Sequence, residues 1–217
     1  MQTPHTRPGT RPNMVLILVD DMGYSDIGCY GSEIATPNLD IMAATGTRFT
    51  QMYNCARCCP TRASLLTGLY PHQAGVGHMI HDHGVGQAYQ GYLADATATL
   101  GEALRAGGYH TAYVGKWHAS PGIPISGEPD TEPGTPGNPY PLSRGFDRFW
   151  GTLAGAGNYY NPHGMMDQDR RIRAESDDFY YTDAISEHAS RMIDEAAAGD
   201  SPFFLHVCYT APHWPLH

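Results

Sequence analysis

The six residues Met14 to Val19, "MVLILV", carry no polar side chain and run directly into Asp20 and Asp21. Such a run is too short for a membrane span or a signal-peptide core. Unbroken apolar character over six residues is what a parallel strand covered on both faces needs. Two later segments repeat the arrangement. "YHTAYVG" leads into Lys116, Trp117 and His118, and "PFFLHVCY" leads into "TAPHWP" with His213. Strands alternating with helical segments specify an α/β domain with a mainly parallel sheet. Sheets of this kind bind ligands outside the carboxyl ends of their strands, so these flanking residues are the first candidates for a site.

The helical segments are set by their punctuation. Asn38 to Thr45 reads as a short helix ended by Gly46. Pro60 fits the first position of a second helix, with Gly68 just past its end. Thr97 is read as the cap of a third, in which Leu100, Ala103 and Leu104 share a face before Gly107 and Gly108. A fourth begins near Thr182, aligns Ile185, Ala189, Met192 and Ala196, and ends at Gly199. Prolines recur through Pro121 to Pro141, which excludes helix or central strand and suggests an excursion over a surface.

At 217 residues the chain is expected to hold one domain, residues 12–217, behind a flexible N-terminus, residues 1–11. The net charge of -9 argues against a nucleic-acid partner, and anions would need local positive charge. Neither an export signal nor a membrane span is visible, so the expected location is cytoplasmic.

Chemistry-bearing residues cluster at the strand ends. Asp20 and Asp21 repel one another unless a hard cation relieves them, and oxygen ligands suit Ca²⁺ or Mg²⁺. Against this stands a plain solvated turn. Lys116 and His118 are next-but-one neighbours, and in extended geometry both point into one pocket. His213 lies between two prolines, where a purely structural histidine is the competing reading. The loop "HMIHDH" offers His78, His81 and His83 as a further metal site, or more simply as a loop near a pocket mouth.

The stretch "CARCCPTRASLLTG" places Cys55, Cys58 and Cys59 within five residues. A zinc clip would need a second C-x-x-C pair, which is lacking, whereas a redox pair at a helix start stays open. Arg62 lies one turn beyond Cys58. Helix dipole, free backbone N–H groups and a guanidinium together favour negative charge beside Cys58.

Cys58-Cys59-Pro60-Thr61-Arg62 followed by Leu66-Thr67-Gly68 resembles the type I sulfatase signature C-x-P-[S/T]-R-x-x-x-L-T-G. "LVDDMGYSDIGCYG", "TPNLDIMAATGTRFT", "YHTAYVGKWH", "NYYNPHGMMDQD" and "SPFFLHVCYTAPHWPLH" are similar to sulfatase segments in the same order, from about Pro12 onward. The arylsulfatase-like branch fits best.

The resemblance implies an alkaline-phosphatase-like three-layer αβα sandwich. It implies that a formylglycine-generating enzyme converts Cys58 to formylglycine, and that Asp20, Asp21 and the modified Cys58 ligate a divalent cation, usually calcium. Arg62 would hold the resulting diol. Lys116 and His213 would contact the sulfate and the departing ester oxygen, with His213 as general acid, while His118 would act on the second diol hydroxyl. The implied substrate is a small-molecule aryl or carbohydrate sulfate ester. Family members are longer, and their later half supplies an Asp-Asn pair and another lysine. The chain alone is therefore expected to bind metal weakly and turn over little. Three other readings compete: a formylglycine-dependent phosphonate or phosphodiester hydrolase, a non-catalytic metal- or anion-binding module, and a C-x-x-C redox protein.

Overall fold

The structure is a computed structural model, and it describes residues 11–81, 84–122, 132–174 and 176–216. Strands β1 (Met14–Val19), β2 (His110–Lys116), β3 (Arg148–Thr152), β4 (Met165–Asp167), β5 (Arg170–Arg171) and β6 (Phe203–Tyr209) form one sheet in the order β1-β6-β2-β3-β4-β5. The first four strands in that order run parallel, and β4 and β5 close the far side as an antiparallel hairpin.

Helices α1 (Pro37–Thr45), α2 (Cys58–Thr67), α3 (Leu100–Ala106) and α4 (Tyr181–Ala197) complete the regular structure. Alternation along β2 separates the two cores. Tyr113 faces Phe146, Phe149 and the α2 residues Cys59, Ala63 and Leu66. Ala112 and Val114 face the α4 residues Ile185, Ala189 and Met192. Helices on both faces of a mainly parallel sheet give the expected three layers. Each large apolar side chain so buried contributes about 1.5–3 kcal/mol, which is what can hold charged groups at the sheet's end.

Sequence expectation and structure part in four places. The arginine-flanked "RFWGT" is a central strand, β3, although its period is weak. The cap of α3 is Thr99, which accepts from Glu102 N–H at 3.1 Å while the Glu102 carboxylate takes Thr99 N–H at 2.7 Å; Thr97 instead bonds the Ala94 carbonyl. Helix α2 starts at Cys58, two residues before Pro60, because the first turn needs no donor from proline. Finally, β1 is an edge strand among the described residues, with Val15 and Ile17 exposed on one face. Most of the Pro-rich excursion and residues 1–10 lie outside the described residues.

Register puts the functional ends together. Val19 pairs with Tyr209, Gly115 with Cys208, and Lys116 with Thr152, so four strand ends finish at one level. Gly115 has a φ of 100°, and a Cβ there would lie 2.0 Å from the Cys208 carbonyl oxygen. Only glycine allows that approach, and it brings the end of β2 against β6.

Candidate active site

At the end of β1, Asp20 and Asp21 diverge. Asp21 takes a left-handed backbone, with a φ of 62°, a conformation that aspartate tolerates. Asp20 is 6% exposed, while the Asp21 side chain is 54% exposed. The Asp20 carboxylate receives the Lys116 ammonium, and Arg62 Nη2 lies 3.5 Å away. Asp21 instead faces His213, with Nε2 to Oδ2 at 3.8 Å. The charge on Asp20 is thus already balanced by cations of the chain.

Helix α2 delivers Cys58, Cys59 and Arg62 to the same place. Cys58 and Cys59 occupy its first turn, where backbone N–H groups have no intrahelical acceptor. Arg62 is fully buried and spans the site: Nη1 donates to the Lys116 carbonyl at 2.6 Å, and Nη2 reaches Asp20. Its guanidinium therefore bridges the ends of β1 and β2, close enough to Cys58 to act on it electrostatically. Tyr113 Oη donates to the same Lys116 carbonyl at 2.7 Å.

Lys116 and His118 converge by a route other than extended geometry. The strand stops at Lys116, and His118 turns in through a left-handed φ of 48°. Its Nε2 lies 3.3 Å from Cys59 Sγ, and its Nδ1 has no hydrogen-bond partner among the described residues. Burial keeps the His118 imidazole on the neutral side. Burial and the Arg62 charge push the Lys116 ammonium down, against the pull of Asp20. The hydrogen bond from Cys59, with His118 and Lys116 beside it, holds the Cys58 thiol far below its ordinary value despite burial. The same bond and burial push the Cys59 thiol up.

The buried charges do not cancel. Arg62 and Lys116 supply two positive charges and Asp20 one negative, so one positive charge is left beside Cys58. Burying such a surplus is costly unless an anion balances it. A Cys58 thiolate would do so, and a bound tetrahedral anion would do the same.

Two further groups hold the arrangement and escaped the sequence reading. Tyr159 Oη donates to the His213 carbonyl at 2.5 Å, tying down the segment after β6. Gly155 packs against the His118 ring, and a Cβ on it would stand 2.0 Å from Nε2. Neither position carries a spacing signal, because both act across long sequence separations. His83 lies outside the described residues, and His78 is exposed. Among the described residues the metal-capable cluster is Cys58, Cys59 and His118. All five cysteines are free, and Cys55 Sγ lies 3.4 Å from Ser64 Oγ.

The sulfatase family model matches residues 12–217. The chain belongs to the sulfatase family. It is 34% identical to an arylsulfatase of Klebsiella aerogenes over 98% of its own length and 45% of that protein. It is 32% identical to mouse arylsulfatase J over 95% of this chain and 33% of the relative. This sulfatase chain thus spans less than half the length of these relatives. Among solved structures, Ps i-CgsB in complex with k-i-k-neocarrahexaose aligns with a TM-score of 0.77 and 30% identity, covering 95% of this chain and 46% of that one. A second, solved with its substrate D-glucosamine-2-N,6-O-disulfate, gives a TM-score of 0.69 at 29% identity over 94% of this chain and 35% of that one. Family and neighbours agree with the alkaline-phosphatase-like α/β sandwich. No helix of the described residues is long and apolar enough to cross a membrane.

Proposed function

We propose that this chain carries the nucleophile half of a sulfatase that hydrolyses aryl or carbohydrate sulfate esters once Cys58 has been converted to formylglycine. The observation that carries the proposal is the buried surplus of positive charge from Arg62 and Lys116 against the reactive position at the start of α2. A sulfuryl group brings the anionic oxygens that such a site lacks.

The residue types present suit both groups the family implies, although Asp20, Asp21 and Cys58 are not gathered into one cluster of ligand spacing among the described residues. Position 58 is only partly buried, so a maturing enzyme and a substrate could both reach it. Asp20, Asp21 and an oxygen on residue 58 make a hard donor set, which suits Ca²⁺, with Mg²⁺ as the alternative, and not zinc. When bound, formylglycine supplies a hydrated carbonyl as nucleophile, and the cation draws charge from the sulfuryl oxygens.

The chain's own side chains take the remaining work. Arg62 and Lys116 bind and orient the sulfate oxygens. Neutral His118 takes the proton from residue 58 at Nε2 during turnover. His213, partly exposed and paired with Asp21, protonates the departing alcohol oxygen. A sulfated carbohydrate stands among the substrates because one structural neighbour was solved with a sulfated sugar as its substrate.

The test is the mass of the tryptic peptide from Cys58 to Arg62 after coexpression with a formylglycine-generating enzyme. Exchange of the Cys58 sulfur for oxygen is expected, followed by release of sulfate in preference to phosphate from paired ester substrates. An intact thiol at position 58 despite active maturing enzyme would overturn the reading.

A further inference from the structure

Four donors suited to a soft ion meet at the start of α2, and the hydrolytic reading uses Cys58 and His118 but leaves Cys59 and Met79 without a role. One ligand atom each from Cys58, Cys59 and His118 lies within 4.8 Å of the other two. Cys59 Sγ is also 3.8 Å from the Met79 Sδ. Cys59 itself is fully buried, and its sulfur faces His118 Nε2 at 3.3 Å.

These spacings match those around a small thiophilic ion. With metal–sulfur bonds of about 2.3 Å and metal–nitrogen bonds of about 2.0 Å, a tetrahedral site sets sulfur and nitrogen about 3.5 Å apart. Its sulfurs stand about 3.8 Å apart by the same arithmetic. Two thiols, an imidazole and a thioether form a donor set that selects soft d10 ions over calcium or magnesium.

We propose that the unconverted, thiol form of the chain binds one zinc(II) or copper(I) ion through Cys58 Sγ, Cys59 Sγ and His118, with Met79 Sδ as a weak fourth donor. Binding is acid–base chemistry with no change of oxidation state. Two sulfur–metal bonds form, and each sulfur that still carries a proton gives it up to solvent. With zinc the two thiolates neutralise the ion itself, so the site keeps the single surplus positive charge of Arg62 and Lys116 over Asp20. The site exists only while residue 58 is a cysteine. Exchange of that sulfur for oxygen would remove one of its two thiolates and turn the position from a soft donor into a hard one. This inference therefore stands whether or not the mature residue hydrolyses sulfate esters.

The experiment is a titration of the chain, expressed without any formylglycine-generating enzyme and reduced to five free thiols, with Cd²⁺ as the spectroscopic probe. One equivalent should saturate a thiolate-to-metal charge-transfer band in the ultraviolet, and Zn²⁺ should bleach it by competition. Cys59→Ser should weaken binding by at least about 100-fold, more than the loss of a supporting contact around a metal would. Cys55→Ser should leave band and affinity unchanged. Far-UV circular dichroism verifies that each variant is folded, and Cys59→Ala replaces Cys59→Ser if the latter is not. No band at one equivalent would overturn the proposal. So would a band that survives both Cys59 variants, or one lost in Cys55→Ser, which would move the ion to the C-x-x-C pair.

Discussion

Asp20 at the end of β1 and Lys116 at the end of β2 form a buried ion pair across 96 residues of sequence, although β6 lies between their strands. The pair ties the first strand to the third through the site itself. Its worth depends on its partners, because removing one member of a buried pair strands the other. Lys116→Met should lower stability by about 3–5 kcal/mol in urea unfolding. Adding Asp20→Asn to that variant should restore most of the loss. A simple sum of the two single losses would show that the residues are not coupled in this way.

Arg62 tests whether a guanidinium, and not only a charge, is required. It bonds the Lys116 carbonyl through one nitrogen and reaches Asp20 through the other. A lysine cannot span both. Arg62→Lys should cost about 1.5–3 kcal/mol by thermal or urea unfolding and should abolish sulfate release by the converted enzyme. Retained activity would mean that Lys116 alone holds the sulfuryl group.

Gly155 is a steric guard for His118. A methyl group there would meet the ring at 2.0 Å, so either the imidazole or the loop has to move. Gly155→Ala should cost about 1–3 kcal/mol of stability. It should also lower turnover of the converted enzyme about 100-fold, since a shift near 1 Å at a reacting group costs that much. Steady-state kinetics beside a melting curve separates the two effects.

His206 predicts how the fold responds to acid. Its ring is buried between Tyr113 and Phe204, neither nitrogen has a partner among the described residues, and Arg62 is the charge that bears on it. Burial, helped by Arg62, depresses its pKa to about 3. Below the unfolded value of about 6.5 the unfolded chain takes up a proton that the folded chain refuses. Stability should be unaffected above that pH and should fall by about 1.4 kcal/mol per unit as pH drops toward 3. His206→Phe should flatten this slope, although His118, shifted the same way, will keep part of it.

Much of the site was legible because short segments carried it. An apolar run ending in two aspartates, and a second ending in Lys116, placed both carboxylates and the ammonium at one sheet edge without any knowledge of strand order. The Cys58 helix start was also legible, though Pro60 drew the boundary two residues too late. What stayed hidden were arrangements set by tertiary contact. The left-handed turn at His118 is allowed by Gly155, 37 positions away by the numbering, and no local pattern announces it. The separate fates of Asp20 and Asp21 depend on a backbone reversal between them that "DD" does not encode. Strand β3 was missed because arginine and glycine interrupt its period, and it is pairing with β2 that holds it straight.

The exposed row of β1 bears on how the chain behaves in a tube. Val15 and Ile17 stand half open on a strand whose outer backbone groups have no partner strand among the described residues, with Ile34, Ile41, Met42 and Phe49 also exposed. An uncapped apolar edge is a template on which another chain can crystallise its own strand. Colloidal behaviour of these 217 residues should therefore be governed by that edge and not by the net charge of -9. A single gatekeeping change, Val15→Lys, should raise the concentration at which light scattering appears while leaving the chemistry at the far ends of the strands untouched.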